Sequence, residues 1–241
     1  MTKSVNLFIP CFINQLFPSV GWDTIKILEK AGVKVEFNPE QTCCGQPHFN
    51  SGYWKDSAKM AEEFIKLYSN NLPIIIPSAS CAGYIIKHYE KHFEKNQEKL
   101  DAFSEIKSNI IELTDYLVNY LRFTDFGASF PHRITYHDSC SALREYGIEK
   151  EPRTLLNKVK NLTLTEMNER DVCCGFGGTF MIKFAPISTA MVQQKVENAL
   201  QTGAEYIVSS EASCLININS YIEKNNIPIK TAHIATVLAS F

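Results

Sequence analysis

The sequence predicts an α/β protein of two similar β-α-β-α-β repeats, each a parallel sheet covered by helices, with cysteines at the strand carboxyl ends. Three observations lead there. The eight cysteines fall into two sets of one form, single, vicinal pair, single: Cys11, Cys43, Cys44 and Cys81, then Cys140, Cys173, Cys174 and Cys214. Their spacings match, with intervals of 32 and 37 residues in the first set and 33 and 40 in the second. Short apolar segments alternate with amphipathic ones in the same order through both sets, and helices between successive strands require parallel pairing with right-handed crossovers.

Each repeat opens on a strand-length apolar segment, 5–10 or 133–137, that ends just before the first cysteine. In the first repeat a helix is expected over 19–31, stopped by Gly32, and 33–37 alternates like a half-buried strand. Beyond the vicinal pair, Ala61, Phe64, Ile65 and Tyr68 share one helical face. Ile74-Ile75-Ile76 then reads as a buried strand leading to Cys81. The second repeat follows suit: a short helix near 154–159, an alternating strand over 162–165, the vicinal pair, a helix over 187–202 stopped by Gly203, and a strand over 206–208. Both repeats carry an added helix and end alike, in 112–117 and 233–238. The mixed-charge run 91–99 reads as a solvated helix end or insertion. Gly127, Ser129 and Pro131 interrupt the pattern, so two cysteine-rich domains are expected, at 1–127 and 128–241.

A chain of 241 residues, 45% hydrophobic and 21% charged, has the composition of a globular protein and excludes disorder and collagen-like repeats. With 26 acidic against 24 basic residues there is no basic footprint for a phosphate backbone, so nucleic acid is excluded as a partner. No apolar run approaches the roughly 20 residues of a membrane helix, and the first residues lack a secretory signal. A cytoplasmic protein with no transmembrane segment is expected. In that setting the cysteines point to thiol chemistry or metal ligation rather than a disulfide framework.

In an open parallel sheet ligands bind beyond the carboxyl ends of the strands, which would gather four thiols at one edge of each sheet. Adjacent residues of a strand face opposite ways, so a vicinal pair can serve one centre only where the backbone turns. Gly45 and Gly175, directly after the pairs, permit that turn, and Gly177 and Gly178 open the second loop further. Four thiolates suit an iron-sulfur cluster or zinc, and N–H groups at the following helix starts would offset their charge. The bland alternatives are buried free cysteines or a vicinal disulfide. Zinc in both sites is disfavoured by the absence of C-x-x-C pairs, whereas zinc in one half and a cluster in the other stays open. His137, Asp138 and His48 are candidates to orient a ligand. His88 and His92 are expected as surface histidines, and 175–180 starts like a dinucleotide fingerprint but ends in phenylalanine. No Ser/His/Asp arrangement stands out.

The modules Ile9-Pro10-Cys11, Thr42-Cys43-Cys44-Gly45-Gln46-Pro47, Ser80-Cys81-Ala82-Gly83, Tyr136-His137-Asp138-Ser139-Cys140, Cys173-Cys174-Gly175-Phe176-Gly177-Gly178 and Ser213-Cys214-Leu215 resemble those of the cysteine-rich CCG-domain iron-sulfur family, in its lactate-utilization branch. The resemblance spans essentially the whole chain. It implies one or two iron-sulfur clusters, of the 4Fe-4S kind, held by all eight cysteines, with zinc an alternative in one site. It also implies an electron-transfer subunit that works with lactate utilization proteins B and C, or equivalent oxidoreductase subunits, in oxidising L-lactate to pyruvate. The chain is similar as well to the carboxyl-terminal part of glycolate oxidase iron-sulfur subunits and to heterodisulfide reductases of the B type. The latter's fuller pattern has a further cysteine three positions before the last one, where this chain has Ser78 and Glu211. Two other readings stand beside electron transfer: a thiol-disulfide oxidoreductase of the heterodisulfide reductase B type, and a zinc-binding scaffold subunit.

Overall fold

In the computed structural model, which describes residues 3–241, the first repeat opens with strand β1 (Lys3–Leu7) and helices α1 (Cys11–Leu16) and α2 (Pro18–Lys30). Strand β2 (Val33–Phe37), helices α3 (Gln46–Asn50) and α4 (Trp54–Leu67), and strand β3 (Ile74–Ile76) follow. Helices α5 (Ala79–Phe93) and α6 (Gln97–Lys107), strand β4 (Ile110–Glu112) and the short helix α7 (Leu113–Asp115) complete it. The second repeat runs β5 (Arg133–Tyr136), α8 (Lys150–Leu156), β6 (Thr163–Leu164), α9 (Phe180–Lys183), α10 (Ala185–Gln201), β7 (Tyr206–Ser209), α11 (Ala212–Lys224), β8 (Lys230–His233) and α12 (Ile234–Leu238).

Each repeat forms its own four-stranded parallel sheet, ordered β2-β1-β3-β4 and β6-β5-β7-β8. Chain order reverses between β1 and β3, and again between β5 and β7, the point where an open α/β sheet leaves a crevice for ligands. Cys11 and Cys81 follow the two strands that flank the first crevice, and Cys140 and Cys214 those that flank the second. The topology thus brings sequence-distant cysteines to one place in each half.

Two details differ from the sequence reading, and a third, the charge run, falls at a helix end as expected. The fourth strands, β4 and β8, stand where only a similar ending was read. They are three and four residues long, too short to display a period. Helix α8 starts at Lys150, earlier than expected, because Pro152 lies in its first turn, where a backbone N–H is dispensable. The charge run 91–99 covers the end of α5 and the start of α6, where the Asn96 side chain caps the helix by accepting from Lys99 N at 3.1 Å.

The repeats share a core rather than sitting as separate beads. Ile27 and Leu28 of α2, Val237 and Leu238 of α12, and Tyr116 and Tyr136 belong to one buried cluster. Helix α5 lies hard against the turn at 142–146: a side chain added at Gly83 would stand 2.9 Å from Glu145 Cβ and 3.2 Å from the Tyr146 nitrogen. Tyr146 reaches back, donating from its hydroxyl to Asp115 at 2.7 Å and accepting from Glu112 N at 2.9 Å.

Candidate metal centres

The vicinal pairs turn as the glycine rule requires. Gly45 and Gly175 both adopt left-handed backbone, with φ of 89° and 85°. Each directs its N–H back at the first cysteine of its pair, Gly45 N to Cys43 Sγ and Gly175 N to Cys173 Sγ, both at 3.4 Å. A serine locks each turn from the following long helix: Ser57 Oγ donates to the Gly45 carbonyl at 3.0 Å, and Ser188 Oγ to that of Gly175 at 2.8 Å. Neither serine was singled out by sequence, although both lie on the apolar face of an amphipathic helix. The single cysteines sit inside first helical turns: Cys11 begins α1, while Cys81 and Cys214 are third in α5 and α11.

The sulfurs meet. Cys11 Sγ lies 3.7 Å from Cys43 Sγ, and Cys44 Sγ lies 3.3 Å from Cys81 Sγ. In the second half, ligand atoms of Cys174, Cys214 and His137 lie within 4.8 Å of one another. All eight cysteines line one cavity of about 580 Å³ between the repeats. That convergence was not legible from spacing, which places four thiols in each half but says nothing of how the halves face. Phe12 and Phe176 line the cavity from opposite repeats and meet edge to face at 5.5 Å.

Mutual hydrogen bonding polarises the thiols. Cys43 is pulled down to about 3, by Cys11 and then by Cys44 and the Gly45 N–H. Cys173 falls to about 2, by Cys140 and then by Cys174 and the Gly175 N–H. Their donors, Cys11 and Cys140, move up for the same reason, helped by burial. Cys214 is lowered to about 7, chiefly by Cys174, with His137 contributing. Each quartet therefore carries thiolate at neutral pH, the form that binds metal.

Behind the sulfurs the halves diverge. His137, fully buried, occupies the position of Phe8, three residues before the first cysteine of its set. Lys195, 1% exposed, stands where the first half has Phe64, seven residues beyond the locking serine. Its ammonium donates to the Glu169 carbonyl, and burial lowers its pKa. Asp138 does not face the sulfurs; it is gripped by Arg153 at 2.7 Å and by Arg170. His48 has a buried Nδ1 with no partner among the described residues, and its charge helps lower Cys43.

His88 and His92 are half-buried rather than on the surface. They pack on Phe49, with ring centroids 5.3 and 5.5 Å away, because α5 turns that face onto α3. His92 Nε2 lies 3.0 Å from the Tyr84 hydroxyl and 3.1 Å from Ser57 Oγ, so it braces the Gly45 turn from behind. Ser78 and Glu211 meet across the boundary between the repeats at the cavity wall: Glu211 accepts from Ser78 Oγ at 3.1 Å and from Ser80 N at 2.9 Å. It also accepts from Ser213 Oγ in its own helix at 2.8 Å.

The donor set fits a thiophilic metal: four sulfurs per half, an imidazole in one, and backbone N–H groups aimed at the vicinal pairs. A family model, "CCG: Cysteine-rich domain", matches residues 5–86 and 134–219. The chain is 41% identical to lactate utilization protein A of Bacillus pumilus, covering 98% of this chain and 99% of that protein. It is 42% identical to lactate utilization protein A of an Exiguobacterium species, over 98% and 96% of the two chains. Among solved structures, a hypothetical protein from Helicobacter pylori aligns with a TM-score of 0.65 and 14% identity, over 99% of this chain. The chain spans 48% of that structure's length, and the likeness concerns the fold alone. On the two matched repeats and the full-length relatives, the chain belongs to the CCG cysteine-rich domain family, in the branch of the proteins called lactate utilization protein A.

Proposed function

We propose that the chain is the iron-sulfur electron-transfer subunit of a system that oxidises L-lactate to pyruvate, acting in the cytoplasm with lactate utilization proteins B and C or equivalent subunits. The observation that carries this reading is the opening of two four-thiol sets into one cavity. A cluster bound by such a set supplies reversible one-electron storage. The chain's own residues do the rest. Cys11, Cys43, Cys44 and Cys81 would hold one centre and Cys140, Cys173, Cys174 and Cys214 the other. The glycine turns aim N–H groups at Cys43 and Cys173, and Phe12 and Phe176 give the cavity an apolar wall from each repeat. No flavin or nicotinamide fingerprint accompanies them, which suits a relay fed by a partner.

The test is iron, acid-labile sulfide and zinc content of protein purified without oxygen, with visible spectra before and after addition of lactate and the partner proteins. Iron and sulfide in near-equal amounts, bleached by lactate only when the partners are present, is the expected result. Zinc alone, or thiols that all titrate with no metal, would overturn it.

A second reading draws on the depressed thiols. Cys43 could attack a substrate disulfide and release one thiolate; displacement by Cys11, 3.7 Å away, would release the other and leave a protein disulfide. Rapid alkylation of Cys43 at pH 5 in a protein without iron would favour this reading.

A further inference from the structure

His137 is the buried polar side chain that the cavity leaves unexplained. It is fully buried, and among the described residues neither ring nitrogen makes a well-formed hydrogen bond, the one polar group it leans on being the Cys214 thiol that it helps to lower. A native imidazole in that position calls for a partner. Packing does not demand a histidine here, because the first repeat fills the same place with Phe8, set edge-on to Phe64 at 5.3 Å and to Tyr68 at 6.1 Å. In the second repeat those two aromatic neighbours are Lys195 and Ala199, so the aromatic pocket is gone.

The imidazole is also held in place. His137 N donates to the Val208 carbonyl at 2.8 Å, and its own carbonyl accepts from Ser209 Oγ at 3.0 Å, fixing the residue at the end of β5. From there a ring nitrogen lies within 4.8 Å of both Cys174 Sγ and Cys214 Sγ. Thiolates and an imidazole bound to one tetrahedral ion stand about 3.5–3.8 Å apart, so side-chain adjustments of about an ångström bring the three onto a common metal.

From this geometry we infer that His137 is a metal ligand of the second repeat, which makes that centre a mixed imidazole-thiolate site while the first is all-thiolate. This rests on the reading that each quartet holds a metal. The donor set suits a borderline-soft divalent ion: on a single tetrahedral zinc the imidazole would sit beside Cys174 and Cys214 in place of one of the four thiolates, and on a cluster it would bind one iron. The two halves therefore hold unlike centres on the same backbone frame.

The experiment uses the full chain with Cys43→Ser and Cys44→Ser, which isolates the second centre, labelled with ¹⁵N-histidine. If the metal is iron, electron-nuclear double resonance of the reduced protein reads the nitrogen coupling. If it is zinc, cobalt is substituted and the visible ligand-field bands are read. The expected result is a directly bonded nitrogen in the isolated second centre. His137→Phe, which copies the first repeat, should abolish that nitrogen and weaken metal retention by the second half at least tenfold. Metal retained with thiolate-only spectra, the same in His137→Phe, would overturn the inference and show that the imidazole merely donates an N–H to sulfur. A chain whose second half binds no iron, zinc or cobalt would overturn the underlying reading as well, so the two failures are distinct. The measurement on unsubstituted His137 decides the matter even if the phenylalanine variant misfolds.

Discussion

The two repeats build the same sulfur frame and then surround it differently. Both use a left-handed glycine after the vicinal pair, a serine to lock that turn, and cysteines at a sheet's switch point. Behind the first frame lie aromatics: Phe8, Phe64, Tyr84 and Tyr89, with the Tyr89 hydroxyl donating to the Cys44 carbonyl at 2.8 Å. Behind the second lie His137, Lys195 and Asn217, whose amide donates to the Cys174 carbonyl at the same 2.8 Å. The carbonyl of the second vicinal cysteine is satisfied in both, by a phenol in one and an amide in the other. What differs is charge: the second half places a fully buried imidazole and a buried ammonium behind its sulfurs, where the first half has Phe8 and Phe64 and only the half-buried His48 lies near Cys43. A frame set by backbone can therefore carry two centres of unlike electrostatics.

The sharpest way to break this comparison is to remove one frame at a time. Cys173→Ser or Cys174→Ser should abolish one centre's metal and absorbance and leave the other's intact, measured as metal per chain. Unchanged metal content in both variants would sink the ligand assignment for that pair.

The glycine turns give the next largest effect. Gly175→Ala would place its Cβ 2.7 Å from the Ser188 carbonyl oxygen in a left-handed conformation, whereas Gly45→Ala meets first the Ser57 hydroxyl at 2.9 Å. Both should destabilise, by about 2–4 kcal/mol for Gly175→Ala and less for Gly45→Ala, in urea denaturation. Equal losses would show that φ alone, not the helix behind it, sets the cost.

Lys195→Met tests the electrostatic difference. Loss of a buried cation beside Cys174 and Cys214 should lower the second centre's reduction potential by roughly 50 mV, about 1 kcal/mol at an effective dielectric near 20. The first centre should not shift. A potentiometric titration with no change in either would show that the ammonium is neutral or screened.

The smallest effects are pH slopes, and here the repeats have opposite signs. Glu112 and His233 cap the closing helices of their halves, accepting from Thr114 N at 2.6 Å and from Ala235 N at 3.2 Å. Burial raises Glu112 to about 8. Its folded form holds a proton that the unfolded chain releases above about 4.5, so stability falls as pH rises from there toward 8. Burial lowers His233 to about 4, so the unfolded chain takes up a proton first and stability falls as pH drops from about 6.5 toward 4. Glu112→Gln should flatten the alkaline slope and His233→Asn the acid one, each by at most about 1.4 kcal/mol per pH unit.

Much of this was legible in the sequence, for reasons that residues make plain. Cys43-Cys44-Gly45 and Cys173-Cys174-Gly175 announce a turn because only glycine follows the chain into left-handed backbone so readily. The strand-helix order through Ile74-Ile75-Ile76 and 206–208 was visible because each run is apolar and bounded. Strands β4 and β8 were not, since Ile110-Ile111-Glu112 is too short to show alternation. Lys195 escaped notice because a lysine in an amphipathic helix ordinarily marks the wet face, and only the sheet and the Glu169 carbonyl reveal that it is inside. That both quartets share one cavity is a long-range fact: it depends on α5 meeting the turn at 142–146, which no local pattern encodes.

One contact bears on how the cavity behaves over time. Glu211 accepts hydrogen bonds at the first turn of a helix in each repeat, from Ser213 in its own and from Ser80 in the other, with Ser78 completing the set. The repeats cannot swing apart there without stripping both helix starts of a buried carboxylate, so this position is a strut rather than a hinge. The helix starts that carry Cys81 and Cys214 are accordingly coupled through one shared carboxylate, and a change that removes it would loosen the footing of both sulfur sets at once.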